Sequence, residues 1–223
     1  MDFAHLHLHS QYSILDGAIR FEELLQLLEE KNFKACALTD HGNMFGAIEF
    51  YTMALERGIK PILGCEVYVA PTNRFDRIPD PYHLLLLVMN DKGYRNLCHL
   101  LSLSYLEGFY HKPRIDYELL ERYGEGLIVL TSCLKGEIPS LILKGDLEGT
   151  RKKVAFFKEL FGDRFYFELQ DNGIPEQKKV NGSLIKLSKE FGVKLVATND
   201  SHYLLREDAF LHDVLLCIQT GKT

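Results

Sequence analysis

Ala4-His5-Leu6-His7-Leu8-His9-Ser10 is the stretch on which the reading of this chain turns. An extended segment points successive side chains to opposite faces. His5, His7 and His9 therefore share one face, and Leu6 and Leu8 pack on the other. Neutral imidazole is the commonest metal ligand, and two imidazoles spaced two residues apart can converge on one ion. The same pattern also fits an edge strand whose histidines face solvent. What separates the two readings lies downstream, where later strand-like segments each carry a metal-ligating side chain near one end.

Working outward, strand and helix signals alternate at short intervals. Residues 11–19 form a loop holding Asp16-Gly17, and Arg20 to Lys31 reads as an amphipathic helix with Phe21, Leu24, Leu25, Leu27 and Leu28 on its apolar stripe. Ala35 to Thr39 is a short buried strand ending in Asp40-His41-Gly42, and Phe45 to Arg57 is a helix closed by Gly58. Lys60 to Val69 is a strand containing Glu66, and a loop with three prolines follows, from Ala70 to Pro81. His83 then leads the apolar run Leu84 to Val88, typical of a strand covered on both faces. The pattern predicts helices over residues 93–107, 117–123, 145–161 and 175–191, the last with an interruption near Gly182 left open. Strands are expected at Leu127 to Thr131, leading to Ser132-Cys133, at Phe165 to Leu169, and at Lys194 to Thr198, leading to Asn199-Asp200-Ser201-His202. Residues 207–218 are apolar at helical spacing.

Six or seven strands alternating with helices, with no repeat and no Gly/Ser/Pro linker, predict an α/β fold of the parallel barrel type, one domain over residues 1–223. In such folds functional residues gather at the carboxyl ends of strands. The strand exits supply His7 and His9, His41, Glu66, Cys133, and Asp200 with His202. Packing alone rarely places titratable groups at so many exits. His83 fits poorly, because it enters its strand, and Glu66 lies within its own. Either the strands carrying them run oddly, or the loop between them folds back across the mouth.

Composition narrows the function class. With 46% hydrophobic and 26% charged residues the chain is an ordinary globular sequence, and a net charge of -5 argues against a generally basic nucleic-acid coat. A local cationic path remains open. Five cysteines without a C-x-x-C pair read as reduced thiols, four of them buried fillers. No signal peptide precedes the first strand and no apolar run could cross a membrane, so a cytoplasmic protein is expected.

The pattern carried by His7-Leu8-His9, Asp40-His41-Gly42, Glu66, His83, Cys133 and Asp200-Ser201-His202 resembles the polymerase and histidinol phosphatase (PHP) family of phosphoesterases. A narrower likeness, to the PHP domains that begin bacterial replicative DNA polymerases, runs through Tyr12 to Gly17, Thr39 to Gly46, Gly64 to Tyr68 and Tyr105 to Tyr110. It continues through Lys112-Pro113-Arg114, Ala197 to Asp200 and His212 to Thr223. The resemblance implies a distorted barrel of seven β/α units with a trinuclear metal site at its mouth. Carried over residue by residue, the ligands would be His7, His9, Asp16, His41, Glu66, His83, Cys133, Asp200 and His202. It further implies His7, His9, Glu66 and Asp200 on one ion, with Glu66 bridging to a second held by His83 and Cys133. Asp16, His41 and His202 would take the third.

The mixed N, O and S set suits zinc, with manganese or iron as alternatives. The implied activity is phosphoester cleavage by a metal-activated water held by His7, His9, Glu66 and Asp200, as a 3′→5′ exonuclease that proofreads during DNA replication. The implied partners are a single-stranded DNA 3′ end, a following polymerase region and other replisome subunits, with no membrane. Two rivals stay open: a non-catalytic module that its metals stabilise and that docks a proofreading partner, and a free-standing histidinol-phosphatase-like enzyme.

Several residues carry two readings each. Lys112 and Arg114, with Phe109, Tyr110 and His111, offer cations and stacking faces to a single strand, or form a packed, solvated loop. His5 is expected behind the ligands or at the surface. Asp40 either orients an imidazole or caps a helix. His99, His111 and His212 are taken as ordinary helix or loop residues, and Asp171 as a turn residue or part of the mouth. Gly221-Lys222-Thr223 resembles the end of a P-loop, but position 216 is Leu where the first glycine would stand.

Overall fold

The structure is a computed structural model that describes residues 3–14 and 16–222. The chain divides into two compact units, Met1–Cys65 with Asp200–Thr223, and Glu66–Asn199.

In the first unit, α1 (Phe21–Glu30) buries Phe21, Leu24, Leu25 and Leu28. Glu22 and Glu23 in its first turn favour the positive end of the helix dipole. The buried stripe packs with Phe50 and Ala54 of α2 (Ala47–Glu56), and Arg57 ties the two helices through Glu29 at 2.8 Å and through Glu22. Strand β1 (Ala35–Leu38) pairs in parallel with the first residues of β2 (Lys60–Val69), Ala35 opposite Lys60.

The opening stretch is not the regular strand its alternation predicts. It makes isolated bridges instead, His5 with Cys36, Leu8 with Ser201 and Ser10 with Ile19. The Thr39 hydroxyl interrupts the ladder: it accepts from the Leu8 amide at 2.8 Å and donates to the Leu8 carbonyl at 3.0 Å. His7, Leu8 and His9 are all buried, so an in-and-out pleat has no solvent face to serve. The turn after it closes tightly on Gly17, where an added Cβ would sit 1.9 Å from the Ser10 carbonyl oxygen. The unit ends with α8 (Ala209–Thr220), which carries Phe210, Leu211, Val214 and Ile218 exposed.

In the second unit, Tyr68 and Val69 of β2 pair with the short β4 (Arg114–Ile115), and β3 (Tyr82–Val88) comes next in the sheet order. The order continues from β3 to β5 (Leu127–Leu130), β6 (Phe165–Leu169) and β7 (Lys194–Ala197). Strands β5, β6 and β7 are mutually parallel. Strand β3 runs antiparallel to β5, with Leu85 opposite Leu130. That reversal resolves the misfit at His83: the start of β3 lies at the same edge as the exit of β5.

Helices α3 (Asp91–Leu106), α4 (Tyr117–Tyr123), α6 (Leu147–Phe161) and α7 (Pro175–Phe191) follow the sequence expectation, and α7 passes Gly182 without a break. Helix α5 (Glu137–Lys144) was not anticipated; Gly145, read as part of a helix, is its left-handed cap. Asn90 and Asp116 cap α3 and α4 by accepting from the Gly93 and Leu119 amides.

The proline-rich loop is held from inside. Arg74 pairs with Asp116 at 2.9 Å and Glu107 at 2.7 Å. Buried Arg114 donates to the carbonyls of Arg74, Asp76, Ile78 and Gly108. Its donors are thus taken up by backbone, and the expectation that Arg114 meets a DNA phosphate gives way to a structural role.

Candidate metal centre

Each unit gathers its own set of ligand-type side chains. In the first, His7 and His9 both aim Nε2 at one oxygen of Asp200, each at 3.2 Å. Asp200 lies just past β7 with φ of 54°, a left-handed conformation that costs a non-glycine residue energy and turns the chain sharply after the strand. The rings of His41 and His202 lie over His9, with centroids 4.0 Å and 4.2 Å away. His41 Nε2 is 3.3 Å from Asp16. One donor atom each from His9, His41 and His202 lies within 4.8 Å of the other two.

Hydrogen bonding fixes which imidazole nitrogen is available. The Ser13 hydroxyl donates to Asp40 at 2.7 Å, which spends its only proton. It lies 3.1 Å from His9 Nδ1, so it accepts there, and it also accepts from the His41 amide at 3.1 Å. His9 is therefore the Nδ1–H tautomer, with a lone pair on Nε2. His202 Nδ1, 3.0 Å from the Asp200 carbonyl, has the same tautomer for the same reason. At His9 a nitrogen lone pair then faces a carboxylate oxygen at 3.2 Å. Two electron-rich atoms this close repel each other unless a proton or a metal ion lies between them.

Burial, and then the neighbouring His41, push the His9 imidazole down to about 3 against the raising effect of Asp200, so the imidazole side of this contact carries no proton near neutral pH. Burial alone would raise the Asp16 carboxyl, but its hydrogen bond to His41 and the nearby imidazoles carry it below the ordinary range. Asp40 is raised by burial, offset in part by bonds from Ser13 and from the Ser10 amide and hydroxyl. The donor set and its tautomers fit a divalent cation.

The second unit holds the other three expected residues. His83 Nδ1 is 3.1 Å from Glu66 Oε2, and Cys133 Sγ is 3.9 Å from His83 Nδ1 and 4.0 Å from Glu66 Oε1. Ser132 donates a short hydrogen bond to Glu66 and has φ of 61°, so the exit of β5 is bent where Cys133 is presented. A carboxylate, an imidazole and a thiol at these separations fit a zinc-type donor set.

Some residues were missed by the sequence. Ser13 orients His9, and Asp40 acts through it rather than directly on an imidazole. Helix α8 also reaches the first cluster: Gln219 donates to Asp16 at 3.1 Å, and the His212 ring lies 5.6 Å from that of His202. Their seven-residue spacing on a helical pattern was the available signal. His5 packs instead among Phe3 and Phe33, at 5.2 Å and 5.4 Å. Asp171 accepts from Gly173 in a local turn. Of the cysteines, only Cys36 and Cys65 are fully buried, and burial lifts the Cys36 thiol to about 12.

A family model described as the PHP domain matches residues 5–172. The chain belongs to the PHP domain family. Among curated proteins, relatives include the DNA polymerase III subunit alpha of Borreliella burgdorferi, 50% identical over 98% of this chain. The subunit of the same name from Aquifex aeolicus is 50% identical over all of it. The chain spans about a fifth of the length of each of these relatives, 20% in both. Among solved structures, a Bifidobacterium adolescentis protein described as a metal-dependent phosphoesterase superposes with a TM-score of 0.56. It is 13% identical, and the match covers 90% of this chain and 87% of that one, a likeness of fold. The PHP-type α/β fold expected from the sequence is thus the fold of the chain. Among the described residues, no helix is long and apolar enough to cross a membrane.

Proposed function

We propose that this chain is the metal-dependent phosphoesterase domain of a DNA polymerase III α subunit and removes nucleotides from single-stranded DNA 3′ ends. The observation that carries the reading is the electron-rich contact between His9 Nε2 and Asp200, 3.2 Å across in a buried site, which a divalent cation would relieve. His7, His9, Asp16, His41, Asp200 and His202 serve as ligands in the first unit, and Glu66, His83 and Cys133 in the second. Both units are parts of one PHP domain, and the 50% identity to polymerase subunits supports the choice of substrate.

Bound metal ions would supply Lewis-acid activation and charge neutralisation for phosphodiester attack. The chain's own residues do the rest. Ser13 and the Asp200 carbonyl hold His9 and His202 with their lone pairs inward. Asp40 fixes Ser13. Ser132 holds the Glu66 carboxylate, and the left-handed turns at Ser132 and Asp200 aim Cys133 and Asp200. Zinc is the favoured metal, with manganese or iron as alternatives.

The test is to incubate the metal-loaded protein with 3′-labelled single-stranded DNA and, separately, with histidinol phosphate. Nucleotide release that His9→Ala and chelator abolish supports the reading. Release from histidinol phosphate alone overturns it in favour of a small-molecule phosphatase. Inactivity on both, with thermal stability that falls on chelation, overturns it in favour of a docking module.

A further inference from the structure

The second unit contains a cavity of about 490 Å³ beside its ligand cluster, in which His83 is the one assigned ligand among the lining residues. It lies between the loop before β3, the turn at residues 110–112 and α5. Lys112, Lys135 and Lys144 line it together with Tyr68, Tyr82 and Tyr110. One acidic side chain, Asp80, also lines it. All three lysines are exposed, and among the described residues none forms an ion pair. In a chain of net charge -5, a cavity with three lysines against one carboxylate is a local reversal of sign.

The cavity's backbone is built to hold this lining. Tyr110 and Lys112 bridge across a one-residue turn in which His111 has φ of 59°, and this presents both side chains on the same rim. The Lys112 ammonium sits over the Tyr68 ring, 5.3 Å from its centroid. Lys135 accepts with its carbonyl from the His83 amide at 3.1 Å, so its position is tied to a residue of the second ligand cluster. His83 itself lines the cavity. The buried Arg114 fastens the loop that supplies Asp80 by holding the carbonyls of Asp76 and Ile78.

We infer that this cavity is an anchoring subsite for single-stranded nucleic acid, in which Lys112, Lys135 and Lys144 neutralise backbone phosphates and Tyr110 and Tyr82 offer stacking faces to a base. The volume falls within the range of small-ligand sites. It has room for a nucleotide-sized group and none for a duplex, and stacking on an aromatic ring needs an unpaired base. Cations around aromatic faces are the recurring means of holding a strand without reading its sequence. The inference rests on the phosphoesterase reading for why a strand should lie beside His83, but its binding test does not need hydrolysis.

The experiment measures fluorescence anisotropy of a short labelled oligo(dT) strand with the chelated protein at a series of salt concentrations. Replacing Lys112, Lys135 and Lys144 together by Ala is expected to weaken binding on the order of 10- to 100-fold at low salt. It should also flatten the log–log salt dependence by about 2, at roughly 0.7 per phosphate contact. Tyr110→Ala is expected to weaken binding about 5- to 150-fold while leaving the salt slope as it was. Lys135→Ala alone provides a milder variant, and thermal unfolding of each variant reports folding. A triple variant that is folded and binds with wild-type affinity and slope overturns the inference. So does competition by dTMP or inorganic phosphate as effective as that by the unlabelled strand, since the cavity would then take a lone phosphate. If the triple variant loses binding while the metal-loaded protein releases no nucleotide, the anchor stands and the exonuclease reading fails. Nucleotide release with unchanged strand binding in the triple variant means the reverse.

Discussion

Replacing Ser13 by Ala should uncouple the shape of the metal site from its electronic state. The hydroxyl donates to Asp40 and accepts from His9 Nδ1 and the His41 amide, all within 3.1 Å and all buried or nearly so. Asp40 keeps its bonds from Ser10, so the carboxylate stays satisfied. The donors at His9 Nδ1 and the His41 amide each lose this acceptor. Losing buried hydrogen bonds of this kind costs about 1–3 kcal/mol. For a chain of 223 residues that lowers the melting temperature by about 2–12 °C, at roughly 2–4 °C per kcal/mol.

The more specific effect is on His9. With nothing to hold Nδ1–H, the ring gains by moving its proton to Nε2 and donating to Asp200, which removes the lone pair a cation needs. Losing such an orienting partner weakens metal affinity by about 10- to 100-fold. Zinc titration against a chromophoric chelator reads the affinity, and nitrogen-15 NMR of the histidine rings in the chelated protein reads the tautomer. The expected result is Nδ1–H at His9 in the wild type, a shift towards Nε2–H in Ser13→Ala, and weaker zinc binding. An Nε2–H wild type, or a variant that melts earlier yet binds zinc within twofold of wild type, would show that Ser13 does not set the state of His9.

Arg114 and the His9 titration each give a further outcome. Arg114→Ala strips partners from the carbonyls of Arg74, Asp76, Ile78 and Gly108, and should lower stability by at least about 2 kcal/mol in urea unfolding, with the loop at residues 70–81 becoming the first site of proteolysis; a loss under half that size would show that solvent replaces the guanidinium. In chelator, the protein should lose stability as pH falls from about 6.5 towards 3. The folded His9 resists protonation down to about 3, whereas the unfolded histidine takes up a proton near 6.5, so the unfolded state binds more protons across that window. Melting temperatures of wild type and His9→Gln across that range check the sign: the wild type should decline more steeply.

Much of the candidate site was legible because its ligand-type side chains are chemically distinctive and several sit at strand exits. His41, Cys133 and Asp200 each stand just past a strand whose run announces it, and Glu66 lies within one. The opening stretch was read wrongly for its backbone, because alternation cannot show that the Thr39 side chain stands in for ladder bonds. His83 looked misplaced because strand direction is a tertiary property, and one antiparallel strand among parallel neighbours leaves no local mark. Ser13 was invisible for another reason: a serine in a turn has many uses, and only its position between Asp40 and His9 gives it this one. Arg114 misled in the opposite sense, since a basic residue beside aromatics suggests a nucleic-acid surface, whereas here it fastens a buried loop.

The most direct test of the whole account is an anomalous-scattering map at the zinc edge from crystals of the zinc-loaded protein. Peaks are expected about 2.0–2.3 Å from His9 Nε2 and from Cys133 Sγ, the bond lengths zinc makes to nitrogen and sulfur. A map without zinc at those atoms, or with zinc held only by surface side chains, would contradict this expectation.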